Sequence, residues 1–236
     1  MAKASSAILV HGAWADGSSW SKVIPLLQAR GLQVTAVQLP LNSLDSDVAT
    51  VKRALALADG PTVLVGHSYG GVVITEAGDD PKVVGLVYIA AFAPEAGQSA
   101  GSLGASVEPA RLGAEIRPDK EGFLKLTESG VKNDFAQDLT PTEKSVLFAA
   151  QGPTAGAALG APVLAAAWKT KPSWYLVATA DRAIQPVLQR EMAKTIKAKT
   201  IEVTSSHLAM LGRPDETANL ILEAAGVVDQ RQAHVT

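Results

Sequence analysis

The chain has 236 residues, of which 47% are hydrophobic and 19% charged, with a formal net charge of -2 and no cysteine. A chain of this size can bury roughly 70% of its unfolded surface, which is enough for one sizeable core. The balanced charge offers phosphate no general attraction and excludes nucleic acid as an expected partner, while the missing cysteine excludes disulfides, thiolate zinc sites and a cysteine nucleophile.

Short apolar strands alternate with helical patterns along most of the chain. The sequence predicts strands over residues 7–10, 33–39, 62–65, 83–90, 174–179 and 200–204. It predicts helices over residues 20–30, 45–58, 69–78, 186–196 and 214–225. Strands that are apolar on both faces and separated by helix-length crossovers favour a mostly parallel sheet of about six strands, covered by helices in a three-layer α/β core.

Residues 94–171 interrupt this alternation. They combine many Gly and Pro residues, mixed charges and an Ala/Gly-rich run, without a strong strand pattern. A stretch this long inside a compact domain is typical of a functional lid. The sequence therefore predicts a core formed by residues 1–93 and 172–236, with residues 94–171 as a mostly helical cap over one end of the sheet.

The sequence GHSYG at residues 66–70 is the most informative motif. It is a G-x-S-x-G pattern that follows a buried strand and precedes a helix, the context of a nucleophile elbow. The sharp turn strains the serine backbone and leaves no room for side chains at Gly66 and Gly70. The motif predicts that Ser68 is a nucleophile at the carboxyl edge of the sheet.

A serine hydroxyl is a weak nucleophile and needs a base within hydrogen-bond reach. His207 directly follows the last predicted strand, so it lies on a loop at the same edge as Ser68. His11 belongs to another motif, His67 is held beside the serine and points elsewhere, and His234 is close to the chain end. The sequence therefore predicts His207 as the base.

The acid that orients the base should follow an earlier strand of the sheet. Asp181 closely follows the predicted strand over residues 174–179 and gives the chain order Ser68, Asp181, His207 that is typical of this elbow. Glu95 follows another predicted strand and is an alternative acid or a second supporting carboxylate. Asp181 is the preferred prediction because of the chain order.

Acyl transfer also needs N–H donors aimed at the oxyanion of the tetrahedral intermediate. The loop after the first strand and the residue after the nucleophile normally supply them, which here predicts the amides of Ala13 and Tyr69. His11 is interpreted as a structural residue that braces this loop.

Together these motifs resemble the α/β-hydrolase superfamily over the whole chain. The first-strand sequence ILVHGAW at residues 8–14, the elbow, and the loops that carry Asp181 and His207 are similar to a branch that contains plant hydroxynitrile lyases, plant methylesterases and small bacterial esterases. The resemblance implies an enzyme without cofactor. In the lyases a threonine follows the first-strand histidine and a lysine follows the catalytic histidine, whereas this chain has Gly12 and Leu208.

The sequence thus predicts a serine carboxylesterase that hydrolyses small to medium carboxylic esters through an acyl-enzyme. A hydroxynitrile lyase or perhydrolase using the same triad, and a small-molecule receptor without turnover, remain alternatives. Trp14, Phe92 and Trp168 are candidate substrate contacts.

The remaining expectations concern metals, partners and location. No two histidines have the i, i+4 spacing of a helical metal site, so no metal is expected. The N-terminus lacks the long apolar stretch of a secretory signal and no apolar run approaches 18 residues, which predicts a cytoplasmic protein without a membrane partner. The oligomeric state is left open.

Overall fold

The structure is a computed structural model that describes residues 3–227. Within these residues the strands, in chain order, are β1 (Ser6–Val10), β2 (Gln33–Ala36), β3 (Thr62–His67), β4 (Val83–Ile89), β5 (Ile116–Pro118), β6 (Phe123–Leu126), β7 (Thr154–Ala155), β8 (Ser173–Ala178) and β9 (Lys199–Val203). The α-helices are α1 (Ile24–Gln28), α2 (Leu44–Leu57), α3 (Gly70–Ala77), α4 (Ala100–Gly104), α5 (Glu128–Gly130), α6 (Pro141–Ala150), α7 (Gly156–Gly160), α8 (Pro186–Thr195), α9 (Ala209–Gly212) and α10 (Pro214–Ala224).

Six strands form a fully parallel sheet in the order β2-β1-β3-β4-β8-β9. After β1 the chain forms β2 at one edge of the sheet, and the later strands β3, β4, β8 and β9 then follow in order on the other side of β1. The order reverses between β1 and β3, so the loops that follow these two strands diverge and open a crevice at their carboxyl ends. The fold therefore places the loop after residue 10 beside the elbow after residue 67.

The local sequence explains why these segments adopt their structures. All six residues of β3 are buried, as expected for a central strand that helices cover on both faces. Helix α2 buries Leu44, Val48, Val51 and Leu55, which recur at helical spacing on one face. The Ser43 side chain caps its N-terminus by accepting a hydrogen bond from the Ser46 N–H.

The predicted parallel sheet and its covering helices are confirmed. Each predicted core strand and helix is present, with ends that differ by a few residues. The largest differences are in the second strand, which ends at Ala36 rather than at residue 39, and in the first helix, which is shortened to Ile24–Gln28 after a 3₁₀ turn at Gly17–Trp20.

The long connection between β4 and β8 differs from the prediction in one respect. It contains α4 to α7, as the expected helical character requires, but also an antiparallel sheet in the order β5-β6-β7 that the sequence did not predict. These strands have three, four and two residues, too short for a periodic pattern to emerge. The division of the chain into core and cap domains stays a prediction.

Two further findings concern the same residues. Within residues 3–227, no helix is long and apolar enough to cross a membrane. In this part of the chain, no group of three or more His, Asp or Glu side chains is arranged to hold a metal ion.

We expect the elbow to be intolerant of any side chain at Gly70. A Cβ added there would lie 2.5 Å from the Val10 carbonyl oxygen and 2.7 Å from that of His11, so β1 and α3 would have to separate. Gly70→Ala should lower the free energy of unfolding by about 1–3 kcal/mol in urea titrations. Gly104→Ala is the control, because a Cβ there meets nothing within 4 Å, and an equal loss in both variants would contradict the packing argument.

Candidate active site

Ser68 occupies the turn between β3 and α3 in a strained conformation. Its φ is +53°, in the left-handed region that non-glycine residues rarely adopt. A Cβ added at Gly66 would lie 2.6 Å from the Gly70 carbonyl oxygen, and one at Gly12 would lie 2.6 Å from the Ser68 Cβ. The motif glycines and the loop after β1 therefore pack against each other without intervening side chains, and this packing fixes the position of the serine.

Asp181 and His207 are brought together at the ends of β8 and β9. His207 Nδ1 lies 2.7 Å from Asp181 Oδ2, and both side chains are almost completely buried. Asp181 Oδ1 accepts hydrogen bonds from the N–H groups of Ala183 at 2.7 Å and Ile184 at 3.0 Å. The carboxylate is thus held in one orientation, and its bond to Nδ1 leaves the Nε2 of His207 as the acceptor in the neutral ring.

Ser68 and His207 line the same cavity, which has a volume of about 300 Å³. Its other walls are mostly small or apolar and include Ala13, Trp14, Tyr69, Phe92, Leu112 and Ile116. Within residues 3–227, no Asp, Glu, Lys or Arg side chain lines it. The cavity therefore joins a serine hydroxyl and an imidazole to an uncharged binding space.

Trp168, a candidate substrate contact, and Glu95, the alternative acid, lie outside the lining of this cavity. The indole Nε1 of Trp168 donates a hydrogen bond to the Pro94 carbonyl at 2.8 Å, and Trp168 is not part of the cavity lining. Glu95 is exposed, and its carboxylate lies 3.5 Å from Lys169 Nζ. Of the two carboxylates considered as the acid, Asp181 is the one that bonds His207.

The loop after β1 is braced as the sequence indicated. His11 Nε2 accepts a hydrogen bond from the Leu39 N–H at 2.9 Å, so Nδ1 carries the proton and donates to the Gly12 carbonyl at 2.8 Å. Burial lowers the pKa of His11 from its ordinary value, which favours this neutral form.

The backbone amides at the predicted oxyanion hole are available. Among the hydrogen bonds of residues 3–227, the N–H groups of Ala13 and Tyr69 have no acceptor. The next amide, that of Trp14, is occupied because it donates to Thr154 Oγ1 at 3.2 Å. Donors without a protein partner at the wall of a cavity are suited to bind an oxygen atom of a ligand.

His67 connects the nucleophile turn to the histidine loop. Its Nε2 donates to the His207 carbonyl oxygen at 3.0 Å, and the centroids of the two rings are 4.6 Å apart. Complete burial, followed by the proximity of His207, holds the pKa of His67 well below its ordinary value of 6.5. His67 is thus a neutral link between two loops, in agreement with its exclusion as the base.

Several side-chain contacts that hold the site together are visible only in the tertiary structure. The ring of Phe135 packs 5.3 Å from that of His207, and Asp138 accepts from the Ser206 N–H at 2.8 Å. On the other side, the buried Asp47 accepts a hydrogen bond from the Tyr69 hydroxyl at 2.9 Å. Each of these contacts joins segments at least 22 residues apart, so no local pattern could have revealed it.

The chain matches a family model described as alpha/beta hydrolase family over residues 7–220. It therefore belongs to the alpha/beta hydrolase family, and with this membership it is identified as a hydrolase. The predicted fold class and the resemblance to this superfamily are confirmed.

Individual relatives include both bacterial and plant proteins. A pyrethroid hydrolase of Sphingobium wenxiniae is 28% identical, over 92% of this chain and 86% of its own length. Salicylic acid-binding protein 2 of Nicotiana tabacum is 36% identical over 37% of this chain and 40% of its own length. The crystal structure of a pyrethroid hydrolase from Sphingobium faniae superposes with a TM-score of 0.81 at 25% identity, covering 94% of this chain and 98% of that one.

The neutral state of His67 makes the stability of the protein depend on pH. Because its pKa is lower in the folded than in the unfolded chain, its contribution is complete above the unfolded value near 6.5 and is lost as the pH falls below it. The free energy of unfolding should decrease there by up to about 1.4 kcal/mol per pH unit for this group alone. Urea titrations between pH 7.5 and 5 should show a shallower decrease for His67→Gln, and equal slopes in variant and wild type would contradict this origin.

Proposed function

We propose that the protein is a serine carboxylesterase that hydrolyses small to medium neutral esters through an acyl-enzyme. The observation that carries the proposal is the arrangement of one strained serine and one aspartate-bound histidine on the wall of the same apolar cavity. Activity on esters is also named for relatives of the chain, including a carbendazim hydrolyzing esterase and a methylesterase.

In the first half of the proposed reaction, Ser68 Oγ attacks the ester carbonyl carbon while its proton passes to His207 Nε2. Asp181 stabilises the imidazolium that forms. The tetrahedral intermediate then expels the alcohol, which takes the proton from His207, and the acyl group remains bonded to Ser68. In the second half, His207 takes a proton from water, the hydroxide attacks the acyl carbon, and the carboxylic acid leaves as Ser68 regains its proton.

The amides of Ala13 and Tyr69 supply the oxyanion hole in this mechanism. They lie on the loops that follow β1 and β3, where the strand order of the sheet reverses, and neither N–H has a protein acceptor within residues 3–227. Removing one such donor from a serine hydrolase typically costs about 10² to 10³ in rate. Because Gly12 packs against the Ser68 Cβ, the next residue, Ala13, stays close to the nucleophile. This close packing therefore serves catalysis as well as stability.

The cavity lining favours ester hydrolysis of uncharged substrates over the alternatives. Leu208, at the position where the lyases have a lysine, is completely buried and lies outside the lining. Among residues 3–227, no lysine or arginine lines the cavity beside His207 to stabilise a cyanide ion. Trp14 and Phe92 are the aromatic side chains we propose as substrate contacts. The natural partner of this site is thus a small ester with apolar acyl or alcohol groups, and no cofactor is required.

Replacing the nucleophile provides the direct test of the mechanism. Ser68→Ala should lower kcat for a short p-nitrophenyl ester by at least about 10³-fold, because the acyl-enzyme cannot form. The matched control is Ser21→Ala, which removes an exposed hydroxyl and should leave the rate unchanged. More than roughly one percent of wild-type activity in Ser68→Ala would reject the assignment.

Covalent labelling separates the hydrolase from a receptor or a lyase. A fluorophosphonate should add one phosphonyl group to Ser68, detectable by peptide mass spectrometry, and should abolish ester turnover. Stoichiometric ester binding without release of p-nitrophenol would indicate a receptor. Cyanohydrin cleavage in excess of ester hydrolysis would indicate a lyase, and peroxide-dependent formation of peracid would indicate a perhydrolase.

The uncharged lining also predicts that the enzyme prefers an uncharged substrate over a negatively charged substrate of similar size. The p-nitrophenyl monoester of succinate carries a carboxylate that would meet no lysine or arginine of residues 3–227 in the cavity lining. Its kcat/KM should therefore be at least about tenfold below that of methyl p-nitrophenyl succinate, in which the carboxylate is methylated. Equal kcat/KM values for the two probes would contradict the proposed substrate class.

A further inference from the structure

Gln189 is a completely buried amide beside the aspartate of the candidate site. It lies in the first half of α8, where its side chain has 0% exposure. Its Nε2 is 2.7 Å from Asp181 Oδ2 and 2.9 Å from the Ile184 carbonyl oxygen. Its Oε1 accepts from the Ala178 N–H at 3.0 Å.

These contacts fix the orientation of the amide. The Ala178 N–H can only donate and the Ile184 carbonyl can only accept, so the oxygen of the side chain must face the former and the nitrogen the latter. A reversed amide would place donor against donor and acceptor against acceptor in a buried space, which is costly. Gln189 therefore presents one N–H to Asp181 and cannot turn away.

The geometry points to a role in the alignment of the histidine. Asp181 Oδ2 receives two hydrogen bonds, one from His207 Nδ1 and one from Gln189 Nε2. We propose that Gln189 is a positioning residue that holds Oδ2 in line with His207 and shares in stabilising the charged carboxylate. This inference rests on the proposed esterase function.

The position of Gln189 explains why it acts at a distance from the substrate. It is not part of the cavity lining and contacts the reacting groups only through Asp181. Its remaining bonds attach the end of β8 and the turn at Ile184 to the same amide. A change at this residue should thus reduce kcat rather than raise KM.

The first test removes the hydrogen bonds and retains the volume. Gln189→Met should lower kcat by about 10- to 100-fold, as expected for the loss of a bond to a charged group, with KM nearly unchanged. The control, Gln28→Met on the exposed end of α1, should match the wild type.

The second test places a titratable group at the same position. In Gln189→Glu, the introduced carboxyl group can donate to Asp181 only while it is protonated. Activity relative to the wild type should therefore be highest at low pH and decrease as the pH rises, whereas a purely structural defect would lower it equally at every pH. Circular dichroism and thermal unfolding of each variant establish that the measured protein is folded, and this pH trend remains decisive if the methionine variant does not fold.

The outcomes separate this proposal from the proposed function. Wild-type kcat in folded Gln189→Met, or a pH-independent loss in Gln189→Glu, would overturn the positioning role while the esterase assignment stands. Absence of ester turnover in the wild-type protein would instead overturn the esterase assignment itself.

Discussion

The site depends on one constraint, the close approach of the loops that follow β1 and β3, where the strand order of the sheet reverses. Ser68 has a left-handed backbone, and Gly12, Gly66 and Gly70 have no room for side chains, because a Cβ at each would collide with backbone atoms or with the serine itself. Such strain persists only where surrounding structure enforces it, and here β3 is buried along its whole length. The hydroxyl is therefore presented at a fixed place relative to both the sheet and α3.

The same constraint orders the neighbouring groups. Because His67 precedes the serine, its ring is directed back into the fold, where it bonds the backbone of His207. The residue after the serine, Tyr69, is anchored through its hydroxyl to Asp47 of α2, and its N–H remains available at the cavity. One strained turn thus connects the nucleophile, the histidine loop and the proposed oxyanion hole.

The long connection between β4 and β8 contributes to the site as well as covering it. Phe135 packs on the ring of His207, and Asp138 holds the loop that precedes it. The indole of Trp14 donates to the Leu124 carbonyl in β6 at 3.0 Å, which attaches the loop after β1 to the small antiparallel sheet. Because both side chains are almost completely buried, the electrostatic interaction between His207 and Asp181 is stronger than it would be in water.

The sequence by itself determined the parallel sheet and the elbow at Ser68, and it favoured Asp181 over Glu95 as the partner of His207. These were predictable because a central strand is apolar throughout, and because residues that follow parallel strands must meet at one edge of the sheet. The tertiary structure decided the antiparallel sheet, the orientation of Trp168 away from the cavity, the ion pair of Glu95 and the contact of Gln189 with Asp181. Each depends on how separate segments approach in space, and strands as short as the two residues of β7 have no periodicity from which that approach can be inferred.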